Sequence, residues 1–511
     1  MNGSAKILRA IAVTLAAWFA LLLLYVFARR FVYPYDLEWM EGGMLDHALR
    51  LAHGQPIYAP PSVDFIPYLY TPGYPFAVFV LGKLFGIGYR LGRFVSLLGF
   101  FTVVVLGYVY ARREGGSRAA AACAIAIIFG AFVPTGTFYD LARPDSLFMG
   151  LVTAGLLIGW WKRHSYGGGV AAALLLVAAF FVKQTSSVFM PVLGLALLLA
   201  VPRTAVVYGL TLAVVGLPSL WLSNRASGGW FWTYVSVLHR KHDFFPARAF
   251  LGTPGRLALI LGPAILLVPW ALVRRRTPGL VYATFIALAG IGAACVSFGT
   301  QWAFTNAFMP GVMLPAIAIG VAAGRLLDDT REAPPRLRSA AVYLLLALSI
   351  LTAPGGLMPV AARVLPESWG LNALRNPTGY DPRLFIPTAR DRAAGDQLIA
   401  KLRAVDGEVL IPFHPFYAHL AGKRTYLHRM GVMDIWRAGM GAPRGLVDAV
   451  DRHRFALIVM DDKIEGNWQM WPRLLDDYRI AGTIAGPRVV SGSTTEPHFV
   501  LVPNVIDKEL Q

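Results

Sequence analysis

YPYDLEWMEGGMLDHALRLAHGQPIYAPPSVDFIPYLYTPGYP, residues 33 to 75, is the stretch on which the reading of this chain turns. Directly before it, Ile7 to Phe27 is an apolar run that is long for a signal-peptide core. It is followed by Arg29 and Arg30 rather than by a small-residue cleavage site. That run reads as a retained first membrane helix. The quoted stretch is therefore a long loop that starts at a membrane surface, and it opens with Asp36, Glu38 and Glu41. If the segment ending near Gly54 is helical, Glu38 and Glu41 lie three apart and share a face. Carboxylates crowded beside a bilayer cost free energy unless they have partners, a metal or a chemical task. The plainer alternative is a solvated loop whose acidic residues sit in the first turn of a helix, where the macrodipole favours them.

Working outward, apolar runs alternate with short polar tips as far as Pro354. Ten more candidate spans follow the first: Phe94 to Tyr110, Ala119 to Phe132, Ser146 to Trp161, Val170 to Val182, Ser187 to Ala200, Ala205 to Leu222, Leu257 to Val273, Leu280 to Phe298, Phe304 to Leu326 and Ala340 to Leu351, about eleven in all. Only 15% of the 511 residues are charged, against about a quarter in soluble proteins. The net charge of +18 could suggest nucleic acid, but the basic residues cluster at the ends of apolar runs, as topogenic charge does. With the N-terminus in the cytosol, the inner connections hold Arg112, Arg113 and Arg118; Lys162 and Arg163; Arg203; Arg274 to Arg276; and Arg325, Arg331, Arg336 and Arg338. The outer connections are poor in such residues, Arg29 and Arg30 being the main exceptions. This places two long loops, Arg29 to Arg93 and Ser223 to Arg256, on the outer face, and the C-terminal part with them. Tyr74 to Gly88 is apolar but short, so it is assigned to the interface or a re-entrant position. Cys123 and Cys295 lie inside apolar runs and read as packing residues.

After Pro366 the composition becomes ordinary. Asp391 to Val405 reads as an amphipathic helix, and Glu408 to Pro412, Phe455 to Met460, Arg488 to Ser491 and Phe499 to Val502 as strands. The expected architecture is an all-α polytopic membrane domain over residues 1–355, followed by a small α/β soluble domain over 356–511 on the outer side.

No phosphate-cradling GxxxxGK[ST], HExxH, CxxC or GxSxG element is present, which leaves a nucleotide-driven pump or a soluble-type hydrolase without support. Other polar groups gather at outer turns instead. FYDLARPDSLFMG sets Asp140, Arg143 and Asp145 between the third and fourth spans, and FVKQTSSVF sets Lys183 and Gln184 at another helix end. Locally, Asp145 could cap its helix and Lys183 could snorkel. The second long loop adds His239, Arg240, Lys241 and His242 among Trp230, Trp232, Phe244 and Phe245. These form either an aromatic belt with basic tips or a site for a lipid-linked phosphate.

With these elements the sequence resembles the GT-C class of membrane glycosyltransferases, in particular its family 39-like, dolichyl-phosphate-mannose-transferase-like and RgtA/B-like bacterial group. The resemblance covers roughly Ile7 to Leu351. It rests on the acidic first loop, Gly54 to Tyr58 (G-x-P-x-Y), Tyr70 to Pro75 (Y-x-P-x-Y-P), the ARPD turn and the KQT turn. It implies an enzyme of the inner (plasma) membrane that takes a sugar from a polyprenyl phosphate and transfers it, with inversion, to a glycan, lipid or protein acceptor on the outer face. The chain departs from the family's adjacent Asp-Glu pair: Met40-Glu41 aligns there, with Asp36 and Glu38 slightly earlier.

Such a transfer needs one positioned carboxylate to take the acceptor's proton. It also needs cations to stabilise a phosphate leaving group, in contrast with the two carboxylates of a glycosidase. The base is then Glu38 or Glu41, supported by Asp36. Arg143, Lys183, Arg240, Lys241, His239 and His242 are phosphate candidates, and Asp145 with Asp140 and Arg143 would orient the donor sugar. The carboxylates could hold a divalent metal, though no ligand spacing demands one. The loop carboxylates should line a cavity that Asp145 and Lys183 also approach. Competing readings are a transporter or flippase of lipid-linked sugars, which would favour repeats and midplane charges, and a non-catalytic assembly protein.

Overall fold

The computed structural model of the protein describes residues 3–328, 335–355, 380–462 and 474–504. Helices occupy every predicted span: α1 (Gly3–Phe31), α4 (Tyr89–Gly115), α5 (Arg118–Gly130), α6 (Pro144–Trp161), α7 (Tyr166–Val182), α8 (Phe189–Ala200), α9 (Pro202–Ala226), α10 (Arg248–Arg274), α11 (Pro278–Gly299), α12 (Thr305–Leu327) and α13 (Pro335–Thr352). Six of them, α1, α4, α9, α10, α11 and α12, are long and apolar enough to cross a membrane. The first loop contributes α2 (Glu41–Ala52) and α3 (Gly73–Phe85). At 13 residues and 1.5 Å rise per residue, α3 is only about 20 Å long, and it leaves Phe76, Val80, Leu84 and Phe85 exposed. The second long loop is shorter than expected, because α9 runs on to Ala226 and α10 begins at Arg248.

The hydropathy window of α12 is wholly buried, whereas that of α9 is 6% buried, so α12 is the central helix and α9 lies at the periphery. Small residues make this possible by letting backbones approach closely. A Cβ on Gly320 would meet Ala111 at 2.8 Å, and one on Gly324 would meet the Gly115 carbonyl at 2.3 Å. The same device joins α4 to α6, where a Cβ on Gly150 would fall 2.7 Å from the Gly99 Cα. That crossing carries the Asp140–Asp145 turn onto the first loop.

The two ends of the bundle differ. At one, Arg325 approaches Glu114 at 4.0 Å and Arg275 donates to the Asp328 carbonyl, so the arginine-rich connectors converge. At the other end, where α4 begins, lie the first loop and a four-stranded sheet. Arg30, an exception to the charge pattern, is no topological signal: it is fully buried. It donates to Asp140 Oδ2 at 2.7 Å, the Thr137 and Phe385 carbonyls and Ser491 Oγ. Thr137 takes a left-handed backbone (φ 64°) to present that carbonyl, a conformation uncommon for a β-branched residue.

The sheet has the order β1-β2-β4-β3, with strands β1 (Glu408–Leu410), β2 (Phe455–Asp461), β3 (Tyr478–Thr483) and β4 (Pro497–Pro503). β1 pairs parallel with β2, and β4 runs antiparallel to both β2 and β3. The expected amphipathic helix is α14 (Ala389–Ala404), started by a capping box between Thr388 and Asp391. Between β1 and β2 come α15 (Pro415–Leu420), α16 (Arg429–Arg437) and α17 (Leu446–Asp451). One expectation is corrected. Arg488 to Ser491 is not a strand, because its backbone is spent elsewhere: the Val490 and Ser491 amides both donate to the Leu37 carbonyl, at 3.0 and 2.9 Å. The strand that sequence pattern missed is β3, an edge strand exposed along nearly its whole length and so lacking a buried apolar signature.

Candidate active site

Each of the three loop carboxylates has a different partner. Glu41, the first residue of α2, is saturated. Its Oε1 accepts from Arg93 Nε (3.1 Å) and the Ala142 amide (2.6 Å), and its Oε2 from Arg93 Nη2 (2.8 Å) and the Leu37 amide (2.6 Å). Arg93 is fully buried and spends its other protons on the carbonyls of Arg30, Tyr33 and Tyr35. This pair is a brace that closes the loop over the start of α4. Asp36 is also committed at both oxygens, to the Gly42 amide (2.8 Å) and to His414 Nδ1 (2.7 Å). Burial pushes its carboxyl up, against the pull of His414.

Glu38 differs. Both of its hydrogen bonds fall on Oε2, from Arg143 Nη1 (2.6 Å) and the Met40 amide (3.2 Å), and Oε1 has no bonding partner among the described residues. Burial raises this carboxyl to about 7, even though Arg143 pulls it down. A group in that range changes charge near neutral pH, as a general base should.

The ARPD turn supplies the cations. Arg143 precedes Pro144, which opens α6, and its backbone is accordingly extended (φ −134°, ψ 156°). Its Nη2 donates to Tyr70 Oη at 3.0 Å, while its buried Nε has no acceptor among the described residues. Two residues on, Asp145 does not cap α6. Its Oδ1 accepts from Lys183 Nζ (2.6 Å) and Asn306 Nδ2 (2.9 Å), and its buried Oδ2 has no partner among the described residues. Asp140 is held by Arg30, and burial pushes its carboxyl up. Of the basic tip, His239 lies close enough to Lys183 to be held below its usual pKa by burial, by His242 and by that charge. His242 pairs with Asp434 at 3.1 Å. Arg240 and Lys241 are exposed, with Arg240 Nε on the Ser236 carbonyl.

The first loop therefore packs directly onto the Asp140–Asp145 turn, but the expected shared cavity is not there: none of Asp36, Glu38 and Glu41 lines the voids at this turn. Asp145, Lys183 and Asn306 line one void of about 10 Å³. His47, Tyr68, Tyr70 and Pro144 line a second of about 10 Å³, which adjoins an apolar cavity of about 490 Å³ through Ile57, Tyr58 and Pro72. Among the described residues no three His, Cys, Asp or Glu side chains converge as a metal cage.

No protein-family model matches the chain, and no curated protein matches it. Solved structures do. ArnT from Cupriavidus metallidurans bound to undecaprenyl phosphate aligns over 96% of this chain and 98% of its own, at 15% identity and a TM-score of 0.56. The archaeal oligosaccharyltransferase AglB from Archaeoglobus fulgidus, in complex with an inhibitory peptide and a dolichol-phosphate, aligns over 92% and 72%, at 12% identity and a TM-score of 0.51. The chain has the GT-C fold.

Within the GT-C fold of this multi-pass membrane protein, several residues of the site carry no motif. Arg93 binds Glu41 and Asn306 completes the Asp145 contacts, whereas Tyr70, which completes those of Arg143, belongs to the Y-x-P-x-Y-P element. His414 and Asp461 reach Asp36 from the C-terminal sheet. For Arg30 there was a signal, since it broke the charge rule. For His414 and Asp461 the signal was their position at the C-terminal ends of the parallel strands, His414 just past β1 and Asp461 the last residue of β2, where α/β sheets place functional groups. Nothing local marks Arg93.

Proposed function

We propose that the protein is an inverting glycosyltransferase that moves a sugar from a polyprenyl phosphate to an acceptor at the outer face of the inner membrane. The membrane part, residues 1–355, would hold the donor, and residues 356–511 would lie outside. The observation that carries this reading is the ARPD turn. Through Arg143 it holds a carboxylate with one unengaged oxygen, Glu38, and two residues on, through Asp145, it holds a second cation, Lys183. The undecaprenyl phosphate bound to ArnT and the dolichol-phosphate in complex with AglB support a polyprenyl-phosphate donor.

In this mechanism Glu38 Oε1 accepts the proton of an acceptor hydroxyl as that oxygen attacks the anomeric carbon from the face opposite the phosphate. The carbon–oxygen bond to phosphate breaks with its electron pair going to the phosphate, and polyprenyl phosphate leaves as an anion. Lys183 has three protons and gives one to Asp145, so it can also bind the phosphate; Arg143 and His239 add charge nearby. These contacts strengthen as negative charge develops, which is the selective stabilisation catalysis needs. Asp145, with its unbonded Oδ2, would orient Lys183 and the sugar. Glu41 and Asp36 act as structure. A divalent metal is not needed for any of these steps.

The test is incubation of purified protein with a panel of polyprenyl-phosphate sugars and candidate glycan, lipid and peptide acceptors, measuring release of polyprenyl phosphate. Release that depends on an acceptor supports the reading. Movement of intact donor between leaflets without release would point to a flippase instead.

A further inference from the structure

We infer that the C-terminal sheet unit is part of the active site. In this reading His414, backed by Asp461, and the loop at Val490 to Gly492 are positioning residues that fix Glu38. This inference rests on the assignment of Glu38 as the base.

The C-terminal unit grips the residues on both sides of Glu38. The Asp36 amide donates to Tyr417 Oη at 3.2 Å. Asp36 Oδ2 meets His414 Nδ1 at 2.7 Å, and His414 Nε2 meets Asp461 Oδ2 at 3.1 Å, all three side chains being fully buried. The Leu37 carbonyl accepts from the Val490 and Ser491 amides. On the far side, His428 Nδ1 accepts from the Met430 amide, so its proton is on Nε2, which donates to the Trp39 carbonyl at 3.3 Å. Gly492 closes the ring: a Cβ there would fall 2.9 Å from Glu38 Cγ. Three separate parts of the unit, the start of α15, the start of α16 and the 490–492 loop, thus converge on four consecutive residues.

His414 is the most informative of these contacts. Burial alone would pull its pKa down, but Asp461 and Asp36 outweigh that and raise it to about 10. It is therefore an imidazolium that donates from both nitrogens, and it carries the position of the sheet to the residue two before Glu38. The donor-side contacts of Lys183 with Asp145 and Phe148 do not involve this unit. Loss of the clamp should therefore move the base without changing donor affinity, and a displacement of about 1 Å can cost ~10²-fold in rate.

The two nitrogens can be separated by amide replacement. His414→Asn keeps a donor near the Nδ1 position, toward Asp36, and His414→Gln keeps one near Nε2, toward Asp461. His414→Ala removes both. The expected result is a fall in kcat of ~10²-fold for His414→Ala and His414→Gln, at unchanged donor KM. His414→Asn should restore kcat to within a few-fold of the native protein, although Asn and Gln each delete one buried donor and lower Tm alike. A structural role alone would make activity follow Tm, with Asn and Gln equivalent; that result overturns the inference. Should all three His414 variants be too unstable to purify, Gly492→Ala decides. Its Cβ presses on Glu38 without touching His414, so it should lower kcat and leave donor KM unchanged; unaltered kcat overturns the inference. Glu38→Gln is run beside them: if it keeps its turnover, the base assignment is what has failed.

Discussion

Replacing Glu38 by Gln keeps the side chain's size and its contact with Arg143 but removes the proton acceptor. A positioned base supplies roughly 10²- to 10⁴-fold in rate, so turnover should fall by at least ~10²-fold, about 3 kcal/mol of barrier. Donor binding should change little, since Lys183 and Asp145 are untouched. The pH dependence sharpens the test. In the native protein kcat should rise with pH and level off above about 7, where Glu38 ionises. Stability runs the other way. Because the folded-state value lies above the ordinary 4.5, the protonated form is favoured by folding. That contribution is complete below about 4.5 and is lost as pH rises through about 7, a span worth roughly 3 kcal/mol. The Gln variant should show neither the activity limb nor this loss. The assay is release of polyprenyl phosphate from purified protein across pH 5–9, with thermal unfolding measured in parallel. A folded Glu38→Gln protein that turns over within a factor of a few of native, or that keeps the limb near 7, would refute the assignment.

Glu41→Gln should fail differently. It leaves the buried Arg93 short of its counter-charge, a change that typically costs about 3–5 kcal/mol, so lost thermal stability should accompany any lost turnover; a normally stable but inactive protein would move the base to Glu41. Lys183→Ala should weaken donor binding by ~10- to 100-fold, the scale of one charged hydrogen bond, and lower kcat as well. Unchanged binding, measured by titration with polyprenyl phosphate, would remove Lys183 from the phosphate site. Reporters fused after Arg113, Arg163 and Arg276 should read cytosolic, and one after Ser368 external. A cytosolic signal after Ser368 would place the Glu38 site on the inner face.

Hydropathy and charge were sufficient to locate the helices, because a bilayer leaves few ways to place an apolar run and its basic flanks. Helices lie at each expected span, and the first loop and the ARPD and KQT turns do meet at one end of the bundle. The roles of the three carboxylates were a different matter. In the sequence Asp36, Glu38 and Glu41 are equivalent acids within six positions. What separates them is how far along the chain their partners lie: Arg93 for Glu41, 52 residues away; Arg143 for Glu38, 105 away; His414 for Asp36, 378 away. A carboxyl's ionisation and availability depend on its burial and on the charges within a few ångströms, and the helix crossings and sheet docking set both. Helix-forming runs are encoded locally, so the sequence alone placed the helices of the apolar part. Only the tertiary structure decided that two of the acids are tied off as structure and that Glu38 retains a free oxygen.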